Sequence, residues 1–529
     1  MLKLRTPHGL GLTIVSGVCS VVLWAGCGGA KPSAKPDAGS DTMKMSGGEG
    51  GGDTPEPGGD ASTPADASAP PDDAGIDAPP PPKYEGIPFE DITDKAPKGC
   101  VSKAPAGDTL TLTLDTTVKA VQLGMFEGQL FANGSPCDLG SAATIKVTGS
   151  AGAETVIIDL SQGQFPAAVL SAKGGIVIDV AGGKDTVAVM GSMENDRIVL
   201  GTKDGKTMFD AGAMAPKISV ANNEKLIVSS GPGDDRIEAS GSPSTGAALA
   251  VNLIAWGGEG SDALSGGAKD DELHGGLGDD SFETAAKPDG ADLYEGGPDV
   301  DTLSYALRTA AVIVKINNSP DDGEAGERDN VQTSTENLTG GSAADNFTGS
   351  DGANTFIGGP GNDTLNGGAG DDVFLEVEAA AGSDIMNGGD GSDTIDYSGR
   401  KVDLSVTLCT SAQLTCFSGA CGCAADDGEA SEKDTLVNME NAFSGSGNDM
   451  LMGNANANFI TGGMGNDVLR GFDGDDNLYG EFGNDALEGG DGDDLLDGAE
   501  GSDTFDGGGG DGDICVLQPK ETQKNCELH

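Results

Sequence analysis

Aspartate residues recur inside glycine-rich segments of the second half of the chain, at a spacing that could support metal chemistry. Segments such as GGMGNDVLR (462–470) and GGDGDDLLD (489–497) have Gly at the first, second and fourth positions and Asp at the sixth. Glycine leaves backbone carbonyls unobstructed and tolerates positive φ, while Asp adds a hard anionic oxygen. Calcium prefers six to eight oxygen ligands in irregular geometry, so these turns predict calcium binding.

A nine-residue period orders these segments. Five copies follow one another from 462 to 506 without a slip, and shorter groups occupy 257–283, 358–375 and 388–396. A strict period over that length predicts a solenoid of repeated units. The eighth position is apolar, which a flexible acidic linker would not require, and it holds Leu264, Phe282, Leu365, Phe374, Leu469, Leu478, Leu487 and Leu496.

These segments resemble the RTX, or hemolysin-type, calcium-binding repeat, whose pattern is GGxGxDxUx. The resemblance covers about 230–514 and implies a six-residue turn and a three-residue strand in each nonapeptide. It also implies that two repeats form one coil of a parallel β-roll, with calcium between turns on the same edge. We therefore expect an all-β parallel β-roll or β-solenoid that follows an N-terminal β-rich region and a disordered tether. Its core is thin, so several calcium ions should supply much of the folding free energy.

Under this resemblance, sixth-position carboxylates eighteen residues apart share an edge. Asp467, Asp485 and Asp503 then share one edge, and Asp476 and Asp494 share the other. The candidate calcium ligands are Asp235, Asp262, Asp271, Asp280, Asp345, Asp363, Asp372, Asp393, Asp449, Asp467, Asp476, Asp485, Asp494 and Asp503.

The earlier repeats predict shorter rows of the same kind. Asp262 pairs with Asp280 and leaves Asp271 on the opposite edge, and Asp345 pairs with Asp363. Asn354 faces Asp372, and Asn458 likewise replaces an Asp. Because a neutral amide lowers the charge of a site, we expect weak calcium binding at both asparagines.

The overall charge restricts the classes of partner. The chain of 529 residues has 86 acidic and 30 basic residues, a formal net charge of −56, and only 4% aromatic residues. A polyanion repels phosphate, so nucleic acid is excluded as an expected partner. Low hydrophobicity with high charge predicts either a disordered chain or one that bound metal folds.

The N-terminus predicts export and a lipid anchor. Lys3 and Arg5 precede an apolar stretch from 10 to 23, as in a signal peptide at 1–26. The sequence LWAGC (23–27) resembles the bacterial lipoprotein cleavage box, which implies that Cys27 is lipidated and that the protein is an outer-membrane lipoprotein at the cell surface. The family prefers Leu where Trp24 stands, and ordinary cleavage after Ala30 is the alternative.

Composition shifts predict the domain boundaries. Residues 84–230 contain short β-rich runs, which form either a degenerate solenoid or a separate β-sandwich. The other predicted segments are a Gly/Pro/Ala/Asp tether (27–83), repeat blocks (231–303, 340–396 and 444–514), inserts (304–339 and 397–443) and a tail (515–529).

The two inserts contain a duplicated sequence. DTLSYALR (301–308) matches DTIDYSGR (393–400), and DDGEAGERD (321–329) matches DDGEASEKD (426–434). Both copies predict loops or side hairpins that interrupt one ladder.

Cysteine usage predicts disulfides in an oxidising compartment. Apart from Cys19 in the signal and Cys27, the candidates are Cys100, Cys137, Cys409, Cys416, Cys421, Cys423, Cys515 and Cys526. Cys515 and Cys526 flank the end of the ladder and could staple a C-terminal cap. The cluster at 409–423 has neither CxxC spacing nor His, which disfavours zinc.

Catalytic motifs of the enzymes that carry such repeats are missing from the sequence. Only His8, His274 and His529 occur, there is no HExxH, and no GxSxG stands between a strand and a helix. His274 is expected to be a solvated side chain. We predict a calcium-binding structural or adhesive protein, not an enzyme; the alternative is a secreted hydrolase with its active site in 84–230.

Overall fold

The computed structural model describes residues 86–89, 92, 95, 97–100, 109–115, 117–127, 129–161, 163, 165, 175–211, 216–376, 382–410, 427–430, 432–519 and 521–528. These residues form strands and turns, with no α-helix among them, so the all-β fold is confirmed. No helix in this described part is long and apolar enough to cross a membrane. The predictions for the signal peptide, Cys27 and the tether fall outside the described residues.

Short β-branched and aliphatic runs form the strands of the N-terminal region. They are β1 (Thr109–Thr113), β2 (Ala120–Phe126), β3 (Gln129–Ala132), β4 (Ser135–Cys137), β5 (Thr144–Thr148), β6 (Thr155–Asp159), β7 (Gly175–Asp179), β8 (Thr186–Met190), β9 (Arg197–Lys203), β10 (Lys206–Asp210), β11 (Ile218–Ala221), β12 (Lys225–Pro232) and β13 (Arg236–Glu238).

The first repeats and the first insert follow. Their strands are β14 (Asn252–Glu259), β15 (Ala263–Ser265), β16 (Glu272–Leu277), β17 (Ser281–Glu283), β18 (Leu293–Glu295), β19 (Thr302–Ser304), β20 (Val312–Lys315), β21 (Gly323–Glu324), β22 (Asn330–Val331) and β23 (Asn337–Thr339).

The middle of the chain repeats this order. Its strands are β24 (Asn346–Thr348), β25 (Thr355–Ile357), β26 (Thr364–Ala369), β27 (Val373–Leu375), β28 (Ile385–Asp390), β29 (Thr394–Asp396), β30 (Leu404–Thr407), β31 (Gly428–Glu429), β32 (Thr435–Val437) and β33 (Asn441–Phe443).

The last block contains β34 (Met450–Met452), β35 (Phe459–Thr461), β36 (Val468–Asp473), β37 (Asn477–Tyr479), β38 (Phe482–Gly483), β39 (Ala486–Asp491), β40 (Leu495–Asp497), β41 (Glu500–Gly501), β42 (Thr504–Gly509), β43 (Ile514–Val516), β44 (Thr522–Lys524) and β45 (Glu527–Leu528).

Alternate strands belong to different sheets, as expected for a roll with two strands per coil. One sheet of twenty strands, the long sheet, includes β1, β5, β7, β9, β13, β15 and every later coil up to β45. The facing strands form a ten-stranded sheet (β2 to β22), a six-stranded sheet (β20 to β32) and a seven-stranded sheet (β30 to β44). We call these three the interrupted sheets. Almost all pairs are parallel, apart from hairpins such as β9–β10 and β2–β3.

Strand pairing continues from the N-terminal region into the repeats. In the ten-stranded sheet β12 pairs with β8 on one side and with β14 on the other, both in parallel. In the long sheet β13 pairs with β9 and with β15. The sequence left open whether 84–230 is a solenoid or a separate β-sandwich, and this continuity favours the solenoid.

The eighth position of the repeats faces the core, as predicted. Phe282 and Leu496 lie at the centres of three-residue strands, and Leu365 is the second residue of β26; the residues on either side of each are partly or fully exposed. All eight predicted apolar residues are at most 2% exposed. Full burial of one such side chain contributes about 1.5–3 kcal/mol, so one per nine residues gives the thin core that the sequence indicates.

The inserts form side hairpins, but they interrupt only one face. β20 pairs antiparallel with β21, and β30 pairs antiparallel with β31. β20 and β30 each begin a new interrupted sheet, whereas the long sheet passes from β19 to β23 and from β29 to β33 without a gap.

Disulfides lie at both ends of the described structure. Cys100 is joined to Cys137, and Cys515 to Cys526 beside the last coil. Cys409 is also disulfide-bonded. The predictions for Cys416, Cys421 and Cys423 lie outside the described residues.

Candidate metal sites on two edges of the solenoid

Each turn places an acidic or amide side chain directly before the strand that follows. The backbone N–H of Asp467 donates to Oδ1 of Asp485 at 2.8 Å, and that of Asp485 donates to Oδ1 of Asp503 at 2.8 Å. Asp476 donates to Asp494 in the same way at 2.9 Å on the other edge. The structure thus brings together the carboxylates that the eighteen-residue spacing pairs.

One row, the first row, precedes the strands of the long sheet. Its members are Asp196, Asp235, Asp262, Asp280, Asp301, Glu336, Asn354, Asp372, Asp393, Glu440, Asn458, Asp476, Asp494 and Asp513. We call the hydrogen bond from the backbone N–H of one row member to the side-chain oxygen of the next a rung. The rung from Asp262 to Asp280 measures 2.8 Å, and that from Asp372 to Asp393 measures 2.9 Å. The row therefore extends beyond any single repeat block.

The second row precedes the strands of the interrupted sheets and is broken where they are. Its three segments are Glu154, Asp185, Glu224, Asp271, Asp292 and Asp329; Asp345, Asp363, Asp384 and Asp434; and Asp449, Asp467, Asp485 and Asp503. The backbone N–H of Asp345 donates to Oδ1 of Asp363 at 2.7 Å, and that of Asp449 donates to Oδ1 of Asp467 at 2.8 Å.

Several members of both rows were missed by sequence reasoning. Asp292, Asp301, Asp384 and Asp513 occupy the same place as the repeat aspartates, but their spacing departs from eighteen. The rung from Asp280 to Asp301 spans 21 residues and that from Asp494 to Asp513 spans 19. An Asp directly before a short apolar strand was the available signal.

One carboxylate oxygen of most row members is buried without a hydrogen-bond partner. In Asp467 and Asp485 the Oδ1 atom accepts the rung, and Oδ2 is left over. The same unpartnered Oδ2 occurs in Asp235, Asp262, Asp280, Asp301, Asp363, Asp372, Asp393, Asp449, Asp467, Asp476, Asp485, Asp494, Asp503 and Asp513. A buried ionised carboxylate is costly unless a cation pairs with it, so these oxygens fit a metal ion.

Glycines keep the space around these oxygens open. A Cβ on Gly257 would collide with Oδ2 of Asp262 and would lie 2.6 Å from the carbonyl oxygen of Gly275 in the next coil. A Cβ on Gly483 would collide with the carbonyl oxygen of Gly465. Carboxylate and carbonyl oxygens therefore face the same spaces, which is the ligand chemistry that calcium prefers.

Side chains alone do not complete such a site. Within the described ranges no group of three or more His, Cys, Asp or Glu side chains is arranged to hold a metal. Carboxylates from neighbouring turns would therefore need the turn carbonyls as further ligands. A bound cation would supply positive charge there and link successive coils.

The electrostatics of the rows favour either a cation or a proton. Burial, together with the charge of neighbouring carboxylates, raises the pKa of Asp262 to about 8 and that of Asp467 to about 7. Burial raises the pKa of Asp485 to about 6, with Asp503 as a further cause. Near neutral pH Asp262 and Asp467 would thus be protonated to a large extent unless a cation binds there instead.

Two predicted ligands differ from the rest. Oδ2 of Asp271 accepts the N–H of Gly267 at 2.6 Å, and Oδ2 of Asp345 accepts that of Gly341 at 2.7 Å. Their Oδ1 atoms also accept backbone N–H groups. Because both oxygens are engaged, these carboxylates are less available to a cation than the others in the predicted set.

The two asparagines have a structural function that the sequence did not indicate. Nδ2 of Asn354 donates to the carbonyl of Glu336 at 2.9 Å, and Nδ2 of Asn458 donates to that of Glu440 at 2.9 Å. A carboxylate could not donate these hydrogen bonds. The first row therefore changes its rung chemistry after each insert.

A buried arginine lies beside the last residue of each of the first two second-row segments, Asp329 and Asp434. In the first arginine cluster, Arg308 is 1% exposed and contacts Glu327 at 2.8 Å and Asp289 at 3.0 Å. The Tyr305 hydroxyl donates to Oδ2 of Asp329 at 2.9 Å, the oxygen that is left unpartnered in the repeats. The protein itself thus supplies the positive charge and the hydrogen bond.

The second arginine cluster repeats this arrangement. Arg400 contacts Glu376 at 2.9 Å and Glu432 at 3.0 Å. The Tyr397 hydroxyl donates to Oδ2 of Asp434 at 2.9 Å. The sequence duplication predicted a common hairpin but not this cluster; the signal was the Tyr and Arg, three residues apart, in both octapeptides.

The expectation for His274 is wrong. His274 is 8% exposed, its ring stacks on Trp256 at 3.8 Å between centroids, and Nδ1 lies 2.6 Å from Glu295. Parallel pairing of β14, β16 and β18 places these three residues side by side on neighbouring strands. Cross-strand packing therefore buries a residue that its position in the repeat suggested was solvated.

Comparison with known proteins agrees with the geometry. A family model described as the RTX calcium-binding nonapeptide repeat (4 copies) matches residues 256–286, 339–374, 377–399, 443–478, 452–487 and 479–514. A search of curated proteins finds no match. The matched segments contain most of the buried, unpartnered carboxylates, so the chain is one that contains several copies of the RTX calcium-binding nonapeptide repeat.

Proposed function

We propose that this protein is an extracellular, surface-tethered β-solenoid that folds on binding several calcium ions and has a structural or adhesive role. The observation that carries the proposal is the row of buried Oδ2 atoms that have no hydrogen-bond partner. The proposed ligands are the aspartates predicted from the sequence, joined by Asp301 and Asp513, with turn carbonyls completing each site. The proposal assigns no catalytic role to the chain.

Calcium would act mainly by cancelling repulsion. The chain has a formal net charge of −56, and its row carboxylates stand on successive coils, each accepting a backbone N–H from the neighbouring row member. Each ion brings two positive charges and couples two turns, so folding should be cooperative in calcium. Extracellular calcium modules commonly bind at about 10⁻⁴ to 10⁻³ M, and we expect the midpoint in that range.

The experiment is a calcium titration of the mature protein followed by circular dichroism. We expect a disordered spectrum in excess chelator and a cooperative gain of β signal with calcium. Magnesium is the control, because its small octahedral shell suits carbonyl-rich turns poorly. The same β signal in chelator as in millimolar calcium would contradict the proposal.

The surface tether is the second part of the proposal and has its own test. The apolar segment that ends in Ala-Gly-Cys supports lipidation at Cys27. Metabolic labelling with a fatty-acid analogue should mark the wild type but not Cys27→Ser. Equal labelling of both forms, or of neither, would remove the anchor from the proposal and leave calcium binding untouched.

A further inference from the structure

Two carboxylates in the N-terminal region repeat the rung geometry outside the matched repeats. Glu154 ends the turn before β6 and Asp185 ends the turn before β8. The N–H of Glu154 donates to Oδ1 of Asp185 at 2.8 Å, and the N–H of Asp185 donates to Oε2 of Glu224 at 2.8 Å. The family model begins only at residue 256, so no repeat is assigned here.

Both side chains are buried, and each has one unpartnered oxygen. Glu154 is 2% exposed and Asp185 is fully buried. Oε2 of Glu154 and Oδ2 of Asp185 have no hydrogen-bond partner. Leaving two adjacent carboxylates ionised in this position is unfavourable without a cation.

Backbone carbonyls of the same turns lie close to glycines in the neighbouring coil. A Cβ on Gly149 would lie 2.7 Å from the carbonyl oxygen of Val180 in the next coil. A Cβ on Gly183 would collide with the carbonyl oxygen of Gly152. Glycine at both positions lets the turns of successive coils approach closely. The chemistry offered is two carboxylates and several carbonyls, a set suited to a hard divalent cation.

We propose that Glu154 and Asp185 hold a hard divalent cation, with calcium as the natural occupant, at a site outside the nonapeptide repeats. The ion would fix the turns that lead into β6 and β8 and so stabilise the N-terminal end of the solenoid. The N-terminal region, 84–230, would then depend on the same ion as the repeats. The proposal rests on the proposed function only in the choice of calcium as the probe.

The test is hydrogen exchange of the intact mature protein, in calcium and in chelator, read by mass spectrometry at 149–190 and at 462–506. Asp185→Asn keeps an oxygen for the N–H of Glu154 but removes the charge. Glu194→Gln is the matched control, because Glu194 is an exposed turn residue of the same region. Glu154→Gln provides a second variant that leaves Asp185 intact.

We expect calcium to slow exchange at 149–190 by at least about tenfold in the wild type and in Glu194→Gln. Asp185→Asn should lose most of that slowing while 462–506 keeps its own. If Asp185→Asn weakens both segments, Glu154→Gln gives the same comparison in a milder variant. Equal slowing at 149–190 in the wild type and both site variants would overturn the proposal. A lack of calcium response at 462–506 would instead contradict the proposed function.

Discussion

In the turn that ends at Asp467, one carboxylate oxygen accepts a backbone N–H and the other is buried without a partner. In the hairpin that ends at Asp329, the rung is the same, but the second oxygen accepts the hydroxyl of Tyr305. Arg308 then supplies a fixed positive charge to the carboxylates nearby. The repeats take their charge from solution, whereas the arginine clusters carry it in the chain.

This difference indicates which turns need calcium. We call the repeat turns whose carboxylates keep an unpartnered oxygen the metal turns. A continuous row of metal turns would make the stability of the whole solenoid depend on the calcium concentration. The two clusters divide the second row into three segments while the long sheet runs through. We therefore expect the ends of the first two segments, at Asp329 and Asp434, to tolerate chelation better than the repeat turns.

The largest effect should come from removing a buried arginine. Arg308→Met leaves Glu327 and Asp289 without their partner, and breaking a buried ion pair costs about 3–5 kcal/mol. We expect a large loss of thermal stability in saturating calcium, measured by calorimetry. Arg470→Met is the control, since the Arg470 side chain is 47% exposed and its ion-pair partner is the exposed Glu488. Similar stability for the two variants would show that the buried Arg308 contributes no more to folding than an exposed arginine.

Removing a metal-turn carboxylate should act on calcium affinity instead. Oδ2 of Asp485 is unpartnered between two neighbouring aspartates, whereas both oxygens of Asp345 already accept N–H groups. Asp485→Ala should raise the calcium midpoint by about tenfold, and Asp345→Ala by less. Circular dichroism titrations of the two variants provide the measurement. An equal shift would mean that the unpartnered oxygen does not mark the ligand.

Protons should compete with calcium for the carboxylates of the repeat turns. Asp467 and Asp476 have pKa values raised to about 7, above the ordinary value near 4. Between about pH 4 and pH 7 the folded state without calcium therefore binds more protons than the unfolded state, and its stability falls as pH rises across that range. In chelator, β signal should be greater at pH 5 than at pH 8.

With calcium present the same linkage acts on affinity. The calcium midpoint should fall as pH rises from 5 to 8, because protons no longer occupy the carboxylates. Titrations at several pH values in one ionic strength check this. A midpoint independent of pH would show that calcium does not displace protons from the row carboxylates.

The smallest effect should come from the tyrosine hydroxyls. Tyr305→Phe leaves Oδ2 of Asp329 unpartnered, as it is in the metal turns, at a cost of about 1–3 kcal/mol. We expect a modest loss of thermal stability that is greater at a calcium concentration just above the folding midpoint than in saturating calcium. Tyr397→Phe should behave alike, since its hydroxyl makes the same contact with Asp434. A loss unchanged by calcium would show that no cation can replace the hydroxyl.

Much of the architecture was determined by the sequence alone. The nine-residue period fixed the inward eighth position, as Phe282 and Leu496 show, and the spacing of eighteen fixed which carboxylates share an edge. These features are predictable because a solenoid packs each unit only against its neighbours. Local spacing then determines the contact.

Only the tertiary structure decided which groups remain open to a cation. Oδ2 of Asp271 accepts an N–H of its own turn, Asn354 donates to a carbonyl, and Arg308 neutralises carboxylates from other elements. The rung between Glu154 and Asp185 spans 31 residues and that between Asp301 and Glu336 spans 35. Spacing cannot predict such contacts, because loops of varied length return the chain to the same edge and hydrogen bonding across coils then fixes each oxygen.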